Sequence, residues 1–96
     1  MAKRRSWSLE NAERMAKKYP ETFEVLPRRL REGLREGDIA KVVIRSGRHS
    51  ERLWVLVEKA GRNRYEGRLD SQPLFIPLAP GATISFGPEH IYDLQG

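Results

Sequence analysis

With 96 residues, 39% of them apolar, the chain has material for one domain with one small core and none for a separate substrate domain. The absence of cysteine excludes disulfides and thiolate chemistry, and the longest apolar runs, five residues, fall far short of the roughly 18–20 that a membrane-spanning helix requires. The net charge of +5 is uneven, because all 18 Lys and Arg lie between Lys3 and Arg68 while Asp70, Glu89 and Asp93 make the C-terminal part acidic.

That basic balance attracts an anionic partner, nucleic acid above all, or it simply keeps the chain in solution. No apolar leader follows the first five residues, and a chain without cysteine suits a reducing compartment. The expected setting is therefore the cytoplasm, with no membrane partner.

Taken in order, residues 1–7 read as a basic flexible tail carrying Lys3, Arg4 and Arg5, and residues 8–96 as one domain, helical over 8–36 and β-rich over 37–96. Ser8 offers an N-cap oxygen, Glu10 and Lys17-Lys18 complement the helix dipole, and Leu9, Ala12, Met15, Ala16 and Tyr19 recur at helical spacing. A helix over Leu9–Tyr19 follows, stopped by Pro20. Phe23 lies in a short stretch that is either extended or a loop plugging the core. Pro27 can open a second helix with Leu26, Leu30 and Leu34 on one side and Gly37 at its C′ position. Gly33 costs that helix about 1 kcal/mol relative to alanine, so it should be short.

The first strand is expected over Ile39–Arg45, with Ala40, Val42 and Ile44 on one face and Val43 ambiguous. After a turn at 46–50, Glu51–Ser71 forms the central hairpin. Trp54–Val57 is apolar at every position, which predicts a central strand covered on both sides. Tyr65, Gly67 and Leu69 alternate with charged residues on the returning strand, and Gly61 and Asn63 suit the connection between the two. Gly67 marks a bulge or tight bend. Leu74-Phe75-Ile76-Pro77-Leu78 reads as an edge strand or a covering loop. Pro80-Gly81 fits the centre of a type II turn, Ala82–Phe86 is a last strand, and Glu89–Leu94 is one helical turn. The expected architecture is α+β: an N-terminal helix and a short second helix packed on a small antiparallel, SH3-like barrel or strongly curled sheet.

Several of these segments resemble a known family. Gly37-Asp38-Ile39-Ala40-Lys41-Val42, the Trp54-Val55 strand, Gly67-Arg68-Leu69-Asp70-Ser71-Gln72-Pro73, Gly81 and Ile91-Tyr92-Asp93 look like the uncharacterised bacterial domain of unknown function 2314 over about residues 37–94. Ser71 stands where that family usually carries asparagine, and Leu94 where a tryptophan often closes it. The resemblance implies a β-rich fold of bacterial type and assigns no activity, cofactor or site residue.

The residues themselves point to no catalytic constellation. His90 with Glu89 and Asp93 could supply metal ligands, but the spacing equally describes a solvated turn. No serine has a histidine and an acid in a nucleophile signature, and no glycine run has the lysine–hydroxyl pair of a phosphate loop. Catalytic, metal and cofactor residues are therefore expected to be absent, and the leading expectation is a small non-enzymatic binding or adaptor domain. A protein partner would use Leu74, Phe75 and Ile76, if that run is exposed rather than buried. The alternative is nucleic-acid binding through Lys3, Arg4 and Arg5 together with Arg28, Arg29, Arg31 and Arg35, with Trp54 or Tyr65 stacking bases if either is exposed. Glu21, Glu24, Glu32 and Glu36, interleaved with those arginines, offer the blander reading of a salt-bridged helix surface. An enzyme with an unrecognised site is the third class.

Overall fold

A computed structural model describes residues 6–95, so the Lys3-Arg4-Arg5 segment lies outside the described residues. Six antiparallel strands and two short helices form a mixed, mostly β fold. The strands are β1 (Ser8–Leu9), β2 (Ile39–Ser46), β3 (His49–Gly61), β4 (Arg64–Leu69), β5 (Thr83–Phe86) and β6 (Asp93–Gln95), and the helices are α1 (Ala12–Lys18) and α2 (Arg28–Glu32). The sheet runs β1-β2-β3-β4-β5, and β6 joins the same edge of β2 that β1 occupies. It curls into a half-barrel, the second of the two shapes expected. Among the described residues no helix is long and apolar enough to cross a membrane.

Period-two alternation explains the inner face. Ala40, Val42 and Ile44 of β2, Leu53, Val55 and Val57 of β3, Tyr65 and Leu69 of β4, and Ile84 and Phe86 of β5 are buried in one core, closed by Leu34, Ile76 and Ile91. Val43 points the other way and is buried in a smaller cluster with Ala12 and Tyr92, so α1 lies against the outer face of the sheet.

Trp54 departs from expectation. β3 is central, flanked by β2 and β4, yet Trp54 and Leu56 point outward and are only half-buried. The Lys41 ammonium sits 4.8 Å from the Trp54 ring centroid and covers part of it. An apolar run on a central strand thus marks two different surfaces here, one sealed and one open.

The turns follow their residues closely. Gly47 takes φ 59° between Ser46 and His49, and Asn63 takes φ 58° between Gly61 and Arg64. Gly81, at φ 87°, follows Pro80, and the Ala82 N–H donates to the Ala79 carbonyl at 3.1 Å, the closing bond of the expected turn.

The helices are shorter than their sequence patterns. Asn11, not Ser8, caps α1, its side-chain oxygen accepting the Arg14 N–H at 2.9 Å, because Ser8 and Leu9 are held on the β2 edge opposite Arg45 and Ile44. α2 ends at Gly33 rather than Gly37. Its inward residue is Arg31, 4% exposed, while Leu30 faces out and Leu34, beyond the helix, enters the core. At the other terminus, only Pro88–His90 turns, as a 3-10 helix; Asp93–Gln95 is not helical but pairs with Ile39–Lys41.

Candidate functional site

The most distinctive surface lies beside the β2–β3 turn, where three backbone amides converge on one carboxylate. Glu51 is in phase with Leu53, Val55 and Val57 on the inner face of β3. Its Oε1 accepts the Leu74 N–H at 2.8 Å, and its Oε2 accepts those of Phe75 and Ile76 at 2.8 and 2.9 Å. Charge-assisted bonds of this kind are short and strong. The Leu74 amide, then those of Phe75 and Ile76, with a further contribution from His49, hold the Glu51 carboxyl below its ordinary pKa against the opposing effect of burial.

The 74–76 loop is pinned from three directions. Ile76 is buried as an anchor in the core, and the Leu78 N–H donates to the Ile76 carbonyl at 2.8 Å. Pro73 and Pro77 fix φ on either side. The Phe75 ring stacks on His49 with centroids 4.5 Å apart and planes 11° from parallel. Despite that restraint, Leu74 is 80% and Phe75 61% exposed. An apolar pair fixed in water is unusual, because side chains this size normally gain about 1.5–3 kcal/mol each by burial.

The cations of the β2–β3 hairpin lie in its turn or on the other face of the sheet, where Arg45 and Arg52 alternate with the inward residues of β2 and β3. Arg48 sits in the turn and has no ion pair among the described residues. Arg45 lies 3.5 Å from Glu10, and the Arg52 guanidinium lies 6.0 Å from the Phe23 ring. The Ser46 hydroxyl donates to the Ser6 carbonyl at 2.6 Å, so the chain enters the fold at the same edge.

The residues singled out in the sequence divide between this ledge and the opposite, helical side. Leu74, Phe75 and Ile76 come together as two exposed side chains and one anchor. Arg28 is held by Glu13 at 2.7 Å and Glu32 at 2.9 Å. Arg31 is turned inward: its Nε donates to the Leu26 carbonyl, and its Nη1 to Glu13 and the Pro88 carbonyl, all within 2.8 Å. It is thus a structural tie between α1, α2 and the C-terminal turn, and a poor phosphate ligand. The Arg31 hydrogen bond, helped by Arg28, keeps the Glu13 carboxyl below its ordinary pKa against burial. Arg29 and Arg35 remain exposed.

Tyr65 is likewise structural. Its hydroxyl donates to the Arg31 carbonyl at 2.7 Å, accepts the Leu34 N–H at 3.3 Å, and is buried. His90 accepts the Gly87 N–H at Nδ1, and burial lowers the pKa of its ring. Asp93 is carried away into β6, opposite Lys41. Among the described residues no group of three His, Cys, Asp or Glu side chains could hold a metal ion.

Sequence reading missed Glu51, His49 and Arg48. Glu51 could have been found, because an acid in phase with three inward apolar residues demands donors. His49 and Arg48 carried no such signal. No known protein family, curated protein or solved structure matches the chain.

Proposed function

We propose that the protein is a small non-enzymatic binding domain working in a bacterial cytoplasm, and that the Leu74–Phe75 ledge is its contact surface. The single observation that carries this reading is the combination of exposure and rigidity: Leu74 and Phe75 face water, yet Glu51 and the core anchor Ile76 hold their backbone in place. A pre-ordered apolar surface loses little conformational entropy on association, which is how a small contact gains affinity. The polar group best placed to react, Glu51, already accepts three amides, which favours a scaffold over a catalyst. Membership of the domain of unknown function 2314 is part of the same proposal: Ser71, in that family's asparagine position, accepts the Trp54 N–H at 2.9 Å, a role an asparagine side chain also fills.

The test compares what the wild type and a Leu74→Ser/Phe75→Ser variant retain from a cell lysate, with and without nuclease. Both side chains are exposed, so the variant should keep its thermal stability. The reading expects a retained macromolecule that the variant loses. Identical retention by the two proteins would overturn it.

A further inference from the structure

We propose that the outer face of the sheet carries a second site, for a small organic anion: its carboxylate or phosphate head is held between Arg45 and Arg52, and its apolar body lies against Phe23 and Met15. The site is independent of the ledge, because it lies on the face of the sheet against which α1 packs. The strand register builds its cationic part. Val43 and Arg45 of β2 point outward, and Arg52 and Ser50 of β3 stand opposite them. Arg45 and Arg52 are therefore diagonal neighbours, with Cα atoms about 7–8 Å apart, and two guanidiniums at that spacing repel unless they share an anion.

Both arginines border a concavity of about 260 Å³, whose apolar lining is Val43, Met15 and Phe23. Pockets for small molecules usually measure about 300–1,000 Å³, so this one admits a body the size of a single ring and excludes a long chain. Two acids also border it, and both are engaged. Glu10 accepts the Tyr92 hydroxyl and lies 3.5 Å from Arg45, while both Glu51 oxygens accept amides of the 74–76 loop. Arg52, by contrast, has no ion pair among the described residues, and its guanidinium lies over the Phe23 ring, 6.0 Å from the centroid. A guanidinium resting on an aromatic face keeps its N–H edge free for two parallel bonds to a carboxylate or phosphate. Ser50, exposed opposite Arg45, adds a hydroxyl donor. The adjoining concavity, about 210 Å³, shares Phe23 and Arg52 but sets Lys41 and Arg52 against Glu24 and Asp93, so it lacks the same bias.

Titration of the full chain with phenyl phosphate and with benzoate at constant ionic strength, followed by amide resonances, tests this. Inorganic phosphate and benzyl alcohol are the controls for head and body alone. At least one of the two aromatic anions should bind saturably with a Kd of about 1 mM or tighter. The shifts should cluster at Phe23, Val43, Arg45, Ser50 and Arg52, leaving the amides of Leu74, Phe75 and Ile76 unmoved. Arg52→Gln, at an exposed position, should weaken binding about tenfold or more, as expected for loss of a charge-assisted bond. Arg48→Gln, in the turn, should bind as the wild type does. Preference for one head group would identify the anion geometry and supports the proposal equally.

No saturation by either aromatic anion below about 10 mM overturns the proposal. So does an unchanged Kd in Arg52→Gln, binding of inorganic phosphate as tight as that of phenyl phosphate, or shifts that centre on Arg29 and Arg35 instead. Each of these outcomes leaves the ledge reading standing, since that is judged by what Leu74→Ser/Phe75→Ser ceases to retain.

Discussion

Replacing Gly67 with alanine tests the curl of the sheet at its tightest point. In β4, Gly67 pairs with Val57, and the register slips by one residue between Val57 and Lys59, leaving Glu58 as the extra residue of a bulge on β3. The bulge folds β3 over Gly67. A Cβ at position 67 would stand 2.3 Å from the Leu56 carbonyl oxygen, 2.8 Å from Val55 Cγ1 and 3.0 Å from the Leu56 carbonyl carbon. The nearest obstacle is backbone in a central strand paired on both sides, so relief requires β3 and β4 to separate. Overpacking ordinarily costs about 1–3 kcal/mol, and a clash with main chain belongs at the top of that range. For a domain this size each kcal/mol moves Tm by about 4–8 °C, so Gly67→Ala should melt about 12–24 °C below the wild type. Thermal unfolding followed by circular dichroism measures the difference. Gly33→Ala is the control, because its Cβ would meet only the Arg29 carbonyl at 3.4 Å, an ordinary contact, and its φ of −102° suits any residue. It should change Tm little. A Gly67→Ala protein melting within about 5 °C of the wild type, a loss of about 1 kcal/mol, would show that the two strands do not approach as described.

Three further perturbations address the ties between elements. Tyr65→Phe should destabilise by about 1–3 kcal/mol in urea unfolding, because it orphans the Arg31 carbonyl and the Leu34 N–H in the core; an unchanged midpoint would refute the tie. Asn11→Ala should cost about 1 kcal/mol by removing the α1 cap, whereas Ser8→Ala, at the position the sequence pattern favours, should cost less. The ledge should respond to acid. The folded pKa of Glu51 lies below the ordinary 4.5, so its contribution is complete above that pH and is lost as pH falls through the lowered value. The amide resonances of Leu74, Phe75 and Ile76 should therefore titrate together with a midpoint below 4.5, and Glu51→Gln should abolish that titration. Three amides titrating with different midpoints would refute a common carboxylate.

The alternation of Ala40, Val42 and Ile44, and of Tyr65, Gly67 and Leu69, made the inner face legible, because burial on one side of a strand imposes period two whatever covers it. The turn at Pro80-Gly81 was legible for an equally local reason: only one conformation suits that pair. Helix ends were not, since whether Ser8 caps α1 depends on the edge of β2, which lies more than thirty residues away. The same applies to Trp54. Five apolar residues in succession specify a central strand but do not say whether its second face meets a layer or only the stem of Lys41.

The ledge shows why a site of this type is read only in part. The proline-bracketed run Leu74–Leu78 announces an apolar segment, and either outcome, closing the core or facing water, satisfies its composition. What decides between them is Glu51. By collecting three consecutive amides the carboxylate forces the backbone to curve around it, and successive side chains then diverge, Ile76 into the core and Leu74 and Phe75 outward. A residue without side-chain oxygens at 51 would leave these three amides without their acceptor, and the loop could then relax and lay Phe75 over the core. Exposure of the ledge is therefore a consequence of one buried-face acid in a strand twenty-odd residues earlier. Under the proposed binding role, the same acid is what would present Phe75 to a partner.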